Sequence, residues 1–248
     1  SAGIVLVDRE SITICTNANN TGWAEATARP GVQVEQLERP WETWVATRIE
    51  RAGWRTVGFE DNDLTVASFQ ALRSAGPNLD LQPLGDSVSR LRAIKDADEL
   101  ATITRAIHLN DDVFVAATKG LKAGTTEREL AWRIDRTMRE LGGDGNAFPT
   151  IVASGPHAAN PHHEPTDRPI EEGEPVIIDM GVRVGGYLSD LTRTIWVGEP
   201  SPSLRSVYNV VYEANAAALA GIRPGRSSEE NDRTGREVIE AAGHGDHF

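Results

Sequence analysis

The 248-residue sequence predicts an α/β unit over residues 1–90 and an α+β unit over residues 91–248. In the first unit, short β-branched segments alternate with amphipathic helical segments, which is typical of a layered α/β sheet. In the second unit, two helices, a block of strands and two more helices follow one another. That order indicates helices packed on a curved antiparallel sheet.

Each element of the first unit has its own pattern. Ile4–Val7 and Ile12–Cys15 are β-branched runs joined by a polar tetrapeptide, which predicts a hairpin. Apolar residues at helical spacing predict a helix from Trp41 to Ala52, where Gly53 ends it. The other predicted elements are strands at Val32–Leu37, Thr56–Phe59 and Leu79–Leu84 and a helix at Leu64–Leu72.

The second unit begins with a long amphipathic pattern that predicts a helix from about Asp96 to Leu121. Thr126 and Glu129 have the spacing of a capping box, which indicates that a second helix begins there. The other predicted elements are strands at Thr150–Ala153, Val176–Ile178, Val182–Leu188 and Thr192–Val197, and helices at about Ser203–Ile222 and Ser228–Ala242.

Charge and cysteine content exclude several classes of protein. Lys and Arg number 25 and Asp and Glu 37, a net charge of −12 that repels phosphate backbones and disfavours nucleic-acid binding. No apolar run approaches the roughly 20 residues of a membrane span. A single cysteine, Cys15, excludes an internal disulfide and a cysteine-based zinc site. The low cysteine content fits a reducing compartment, and together with the absence of a basic leader it predicts a cytoplasmic protein.

Two acidic residues stand out in the strand block. Asp179 follows three apolar residues in a predicted strand, where a carboxylate is costly unless it is paired or bound to metal. Asp190 lies 11 residues later, beyond glycines that allow the chain to turn between antiparallel strands. Such a turn can bring both carboxylates to one face as ligands for a divalent cation. Spacing alone leaves open that Asp179 is an ordinary turn residue and Asp190 a surface residue.

The segment from Ser154 to Glu164 is a Gly, Pro and Asn-rich loop with three histidines, His157, His162 and His163. Loops supported by a rigid sheet often carry function, and histidine can move protons near neutral pH. If the loop is extended, adjacent histidines point in opposite directions, and only one of them faces a metal site. A solvated loop with incidental histidines is the alternative.

Four segments together resemble, in order and spacing, the pita-bread metallopeptidases. They are Phe148–Gly155, Pro161–His163, Ile178–Gly181 and Gly186–Thr194, and they look most like the Xaa-Pro dipeptidases and aminopeptidase P. Leu91–Asp96 is similar to the start of that family's catalytic domain. Residues 1–90 resemble the later part of its creatinase-like N-terminal α/β domain.

The resemblance implies residue roles by position. The family binds two divalent metal ions through two Asp, one His and two Glu. Asp179 and Asp190 match the two Asp, of which the second usually bridges both metals. His162, rather than His163, matches the histidine that contacts the substrate near the scissile bond, and Thr192 matches a position beside the bridging carboxylate. Carboxylate ligands favour Mn²⁺, Co²⁺ or Zn²⁺.

By this resemblance we expect a metal-dependent exopeptidase, of prolidase or aminopeptidase P type. It hydrolyses Xaa-Pro bonds with a hydroxide activated by two metals. The implied substrate is a peptide with proline after the scissile bond, and a homodimer is expected. Two alternatives share the fold: a creatinase-like hydrolase that needs no metal, and a non-catalytic pita-bread module that binds peptides or proteins. The presence of both Asp179 and Asp190 favours the metallopeptidase.

The remaining ligands, one His and two Glu, are expected beyond Phe248, because His244 and His247 precede the position of the family's metal-binding histidine. The resemblance therefore predicts an internal fragment of a longer enzyme, with both domains partial. This fragment alone is expected to be inactive.

Overall fold

In the computed structural model, which describes residues 3–248, the chain begins with the hairpin that the β-branched runs predict. Strands β1 (Gly3–Val7) and β2 (Ile12–Thr16) are antiparallel. The Asp8 carboxylate closes their turn by accepting hydrogen bonds from the backbone N–H groups of Glu10 and Ser11, at 2.7 and 2.8 Å. Strand β3 (Val32–Gln36) pairs parallel to β2 and completes a three-stranded sheet.

Residues 3–95 form the first of two compact units. Its core is built around the buried face of helix α2, where Val45, Ala46 and Ile49 contact Leu72 and Leu79. Two further strands, β4 and β5, pair parallel to each other. The remaining elements are α1 (Ala18–Thr27), α2 (Trp41–Arg51), β4 (Thr56–Phe59), α3 (Val66–Ala75), β5 (Asp80–Pro83) and α4 (Ser87–Ala93).

Two helices of this unit have no counterpart among the predicted elements. In α1 the only buried residue is Ala24, and α4 buries no residue, so neither helix has an apolar stripe that sequence periodicity could reveal. The Asn17 side chain caps α1 by accepting from the N–H of Asn19.

Residues 96–248 form the second unit, in which the four predicted helices are present. Three of them, α5, α6 and α8, begin with a capping box, including the predicted pair Thr126 and Glu129 on α6. Helix α5 packs against α6, and α7 packs against α8. The helices are α5 (Ala97–Thr118), α6 (Glu127–Glu140), α7 (Pro202–Gly221) and α8 (Ser228–Ala241).

The strands of this unit form two antiparallel sheets of three strands each, in the orders β11-β8-β7 and β10-β9-β6. The central strand β8 alternates strictly, because Val176, Ile178 and Met180 are fully buried and face the α5 and α6 core. The strands are β6 (Gly145–Asn146), β7 (Ile151–Ser154), β8 (Pro175–Met180), β9 (Val182–Val184), β10 (Tyr187–Leu188) and β11 (Leu191–Trp196).

The single strand predicted over Val182–Leu188 is wrong. Gly185 and Gly186 both have positive φ, 56° and 84°, and form a two-residue turn between β9 and β10. Two successive positive φ angles match the twist of an antiparallel hairpin, which is why glycines occupy them. The chain therefore leaves β8, forms a hairpin in the second sheet and returns as β11 to pair with β8.

Among the helices of residues 3–248, none combines the length and the apolar character needed to cross a membrane.

Replacing Gly181 by Ala is expected to destabilise the second unit. A Cβ at this position would overlap the backbone carbonyl oxygen of Ser189 and the side chains of Phe148 and Ala147. Overpacking of this kind costs about 1–3 kcal/mol. Chemical denaturation should show a loss of stability of that size.

Gly235→Ala on α8 is the matched control. Its new Cβ would have its nearest neighbour at 3.6 Å, an ordinary contact, and Ala is the better helix former. This variant should be as stable as the wild type or more stable. Equal stability of Gly181→Ala and the wild type would contradict the packing around Gly181.

Candidate functional site

Asp179 lies on the face of the β11-β8-β7 sheet opposite to the buried side chains of β8. It is half-buried, and its direct neighbours across the sheet are Thr192 on β11 and Ile151 on β7. The Thr192 hydroxyl donates a hydrogen bond of 2.9 Å to the Asp179 carboxylate. This contact fixes the orientation of the carboxylate at the surface of the sheet.

Asp190 comes directly before β11 and is exposed. It precedes Thr192 by two positions, and side chains two positions apart on a strand share a face. If this alternation continues to Asp190, its side chain lies on the side of the sheet that carries Asp179 and Thr192. The pairing of β11 with β8 begins at Leu191, opposite Met180, so Asp190 lies one residue before the paired segment.

His162 lies on a different element, the loop between β7 and β8. The sequence-based argument for His162 assumed an extended loop, but the loop forms a turn at the histidines. The N–H of His163 donates to the carbonyl of Asn160 at 3.2 Å, and the N–H of His162 donates to the Asn160 side chain at 3.1 Å, which together form a tight turn. His162 is exposed at this turn, whereas His163 is buried.

Glu127, the first residue of α6, is the centre of a buried cluster that the sequence analysis missed. Its side chain is fully buried and accepts hydrogen bonds from four residues. The N–H and hydroxyl of Ser154 donate at 2.8 Å each, and those of Thr166 donate at 3.1 and 2.7 Å. His157 Nδ1 and His163 Nε2 lie 3.0 and 2.9 Å from the carboxylate oxygens.

Two opposing effects act on the pKa of Glu127. Burial raises the pKa, because the charged form loses its water. Hydrogen bonds from His163, Ser154 and Thr166 lower it, and they outweigh burial, so the pKa of Glu127 lies well below its ordinary value. The carboxyl is therefore ionised at neutral pH. Since a carboxylate only accepts hydrogen bonds, His157 Nδ1 and His163 Nε2 both carry a hydrogen.

An ion pair extends the cluster. Arg168 donates to the Ser154 hydroxyl at 2.7 Å and forms a bidentate pair with Glu174 at 2.6 and 2.7 Å. Both side chains of the pair are mostly buried, 21% and 13% exposed. Bidentate Arg–carboxylate pairs are geometrically specific, so Arg168 further fixes the end of β7.

Backbone pairing brings α6 and the end of the loop together. Residues 124–128 exchange hydrogen bonds with residues 166–170, and Thr126 forms an antiparallel bridge with Pro169. The N–H of Glu127 donates to the carbonyl of Arg168 at 3.1 Å. The register of this pairing places the Glu127 carboxylate beside Thr166.

Glu127, His157 and His163 place their ligand atoms within 4.8 Å of one another, as a metal site would. Six N–H or O–H groups already point at the carboxylate, however, and two carboxylate oxygens offer about four lone-pair sites. A cation would have to displace some of these donors. The contacts therefore favour a hydrogen-bonded anchor over a metal centre at Glu127.

One signal in the sequence could have identified Glu127. The capping box at Thr126 makes Glu127 the first residue of a helix, where a negative charge is stabilised. Its burial depends on Ser154, His163 and Thr166, which are 27 to 39 residues away, and no local pattern indicates that contact.

Comparisons with known proteins agree on one family. A model of metallopeptidase family M24 matches residues 101–248, and a model of the Creatinase/Prolidase N-terminal domain matches residues 1–94. The uncharacterized peptidase YqhT of Bacillus subtilis is 33% identical over 248 residues, which are 100% of this chain and 70% of that protein.

Two solved structures are similar over nearly the whole chain. The Xaa-Pro dipeptidase from Bacillus anthracis matches with a TM-score of 0.90 and 32% identity, over 99% of this chain and 69% of that one. The X-Pro aminopeptidase from Thermotoga maritima matches with a TM-score of 0.89 and 28% identity, over 98% and 69% of the two chains.

The fold is thus a creatinase-like N-terminal α/β domain followed by an α+β domain of the pita-bread class, as the sequence predicts. The chain belongs to metallopeptidase family M24. This family uses divalent metals and acts on peptides. The candidate ligands Asp179 and Asp190 fit such ions, because they offer the carboxylate oxygens that hard and borderline cations prefer.

Glu127→Gln is expected to destabilise the protein in a pH-dependent way. The folded state lowers the pKa of Glu127, so its contribution to stability is complete above the unfolded value, about 4.3, and is lost as the pH falls below it. At about pH 7 the free energy of unfolding of the variant should be lower by roughly 2 kcal/mol or more, because the N–H and O–H groups of Ser154, His163 and Thr166 then face an uncharged amide. Urea denaturation from about pH 7 down to about pH 3 should show this difference shrinking.

Glu129→Gln serves as the control, since Glu129 is exposed on the same helix and Gln also completes a capping box. Its stability should follow that of the wild type at each pH. A difference for Glu127→Gln that is the same at every pH would contradict an ionised Glu127.

Proposed function

We propose that this protein is a metal-dependent exopeptidase that hydrolyses Xaa-Pro bonds, in the manner of a prolidase or an aminopeptidase P. One observation carries the proposal: Asp179 points away from the buried face of β8 and is held by the Thr192 hydroxyl of β11, the strand that begins directly after Asp190. The similarity to an Xaa-Pro dipeptidase and an X-Pro aminopeptidase supports the proline specificity.

In this proposal Asp179 and Asp190 would contribute ligands for two divalent cations, Mn²⁺, Co²⁺ or Zn²⁺. Bound divalent cations supply a nucleophile at neutral pH and polarise the peptide carbonyl. Thr192 keeps the Asp179 carboxylate oriented toward the ions, as hydrogen-bond partners of metal ligands generally do. His162, exposed at the turn of its loop, contacts the substrate near the scissile bond and stabilises the negative charge that develops there.

The other ligands of the proposed site, one His and two Glu, are those that the family resemblance implies beyond Phe248. The chain spans 70% of the Bacillus subtilis relative and 69% of each of the two solved structures, so the activity proposed here is that of the whole protein. We further propose a homodimer and a cytoplasmic location. The location is supported by a single cysteine, Cys15, which is buried and cannot form an internal disulfide.

Substrate length separates the two enzyme types. The whole protein, purified and supplied with Mn²⁺, is given Gly-Pro and a longer peptide whose second residue is proline, with matched peptides that carry alanine in place of proline. Cleavage of Gly-Pro alone indicates a dipeptidase, and cleavage of the longer peptide indicates an aminopeptidase. Equal cleavage of the alanine peptides would contradict proline specificity.

Asp190→Asn is expected to remove at least one metal ion and nearly all turnover, because the amide keeps the shape of the side chain but loses its negative charge. Metal analysis by mass spectrometry and a proline-release assay measure both effects. The matched control is Asp112→Asn, an exposed aspartate on α5. Full metal content with intact turnover in Asp190→Asn would refute the ligand assignment.

His162→Ala is expected to lower kcat by about 10²–10³, the usual cost of losing one contact to a developing negative charge. The side chain is exposed, so the stability of the protein should stay close to that of the wild type. Steady-state kinetics with Gly-Pro and a thermal melt measure the two quantities. Wild-type kcat in this variant would mean that His162 has no catalytic role.

A further inference from the structure

One carboxylate holds the chain on both sides of His162. Before the histidines, the N–H and hydroxyl of Ser154 donate to Glu127 Oε1. After them, the N–H and hydroxyl of Thr166 donate to Glu127 Oε2. The loop is therefore closed on a residue that belongs to helix α6, not to the sheet or to the loop itself.

The same carboxylate also holds the middle of the loop. His163 is buried against Glu127 Oε2, and its ring lies 4.2 Å from that of His157, which contacts Oε1. His162 directly precedes His163 and is exposed. Fixing the ring of His163 on the inner side of the turn leaves His162 on the outer side.

We propose that Glu127 is a positioning residue for the reaction, which orients His162 by anchoring Ser154, His163 and Thr166 around it. This inference rests on the proposed function for the role of His162. Glu127 itself is fully buried and touches neither substrate nor metal ligand in this assignment. It acts through the loop that it holds.

A carboxylate is the group that this position needs. The hydrogen-bonding neighbours of the Glu127 side chain offer N–H or O–H groups, and an ionised carboxylate only accepts hydrogen bonds, so it meets these groups without adding a donor of its own. A glutamine has the same shape, but its amide nitrogen is a donor and would meet donors from the loop. The loop should then lose part of its anchoring while α6 keeps its capping box at Thr126 and Glu129.

The test combines Glu127→Gln with His162→Ala in a double-mutant cycle of Gly-Pro hydrolysis by the whole protein. Glu127→Gln alone should lower kcat by about 10–100-fold, the cost of a misplaced catalytic group, with KM changed by less than about twofold. In the His162→Ala background the same substitution should cost almost nothing further, because its effect passes through His162. Glu129→Gln should keep wild-type kinetics.

Three results would overturn the proposal. The first is a wild-type kcat in Glu127→Gln. The second is a kcat of the double variant that falls below that of His162→Ala by the full factor seen for Glu127→Gln alone. The third is protection of the loop from hydrogen exchange that depends on metal. The last is measured by amide hydrogen exchange across residues 155–168 after dialysis against EDTA. Exchange should stay slow in the EDTA-treated wild type. Faster exchange that Zn²⁺ reverses would make the cluster a metal site.

Hydrogen exchange also separates this inference from the proposed function. If the whole wild-type protein cleaves no Xaa-Pro peptide, the proposed function is refuted, and the exchange experiment alone then decides the role of Glu127. Faster exchange at residues 155–168 in Glu127→Gln than in Glu129→Gln would then support the anchoring of the loop. Equal exchange in the two variants would refute it.

Discussion

The second unit depends on one buried negative charge. A carboxylate without water is tolerated only when hydrogen-bond donors replace its solvation, and the loop between β7 and β8 supplies those donors to Glu127. The dependence is mutual: without the loop the charge would be unsolvated, and without the charge the loop donors would lose their acceptor. Helix α6, the end of β7 and the histidine loop are therefore stabilised as one group.

The central strand β8 imposes the second constraint. Val176, Ile178 and Met180 are fully buried on one face, so the residue between the last two must point to the other face. That residue is Asp179, and the antiparallel register places the Thr192 hydroxyl directly across from it. Packing of the core thus orients the Asp179 carboxylate away from the apolar interior. This is the orientation that the proposed metal site requires.

Local patterns predicted most of the elements of the fold, because burial repeats at the period of each helix or strand. They failed where a helix has no buried stripe, as in Ala18–Thr27, and where Gly185 and Gly186 interrupt an otherwise continuous strand pattern. Asp179 could be singled out from the sequence because a carboxylate follows three apolar residues in a strand pattern, whereas the role of Thr192 followed only from the family resemblance. The burial of Glu127 was not, since its partners come from a distant segment.

The backbone pairing between residues 124–128 and residues 166–170 has an evolutionary consequence. One residue inserted into either segment would shift the pairing register and move Glu127 away from Thr166, although no side chain had been substituted. Homologous chains should therefore keep a constant length in the two paired segments.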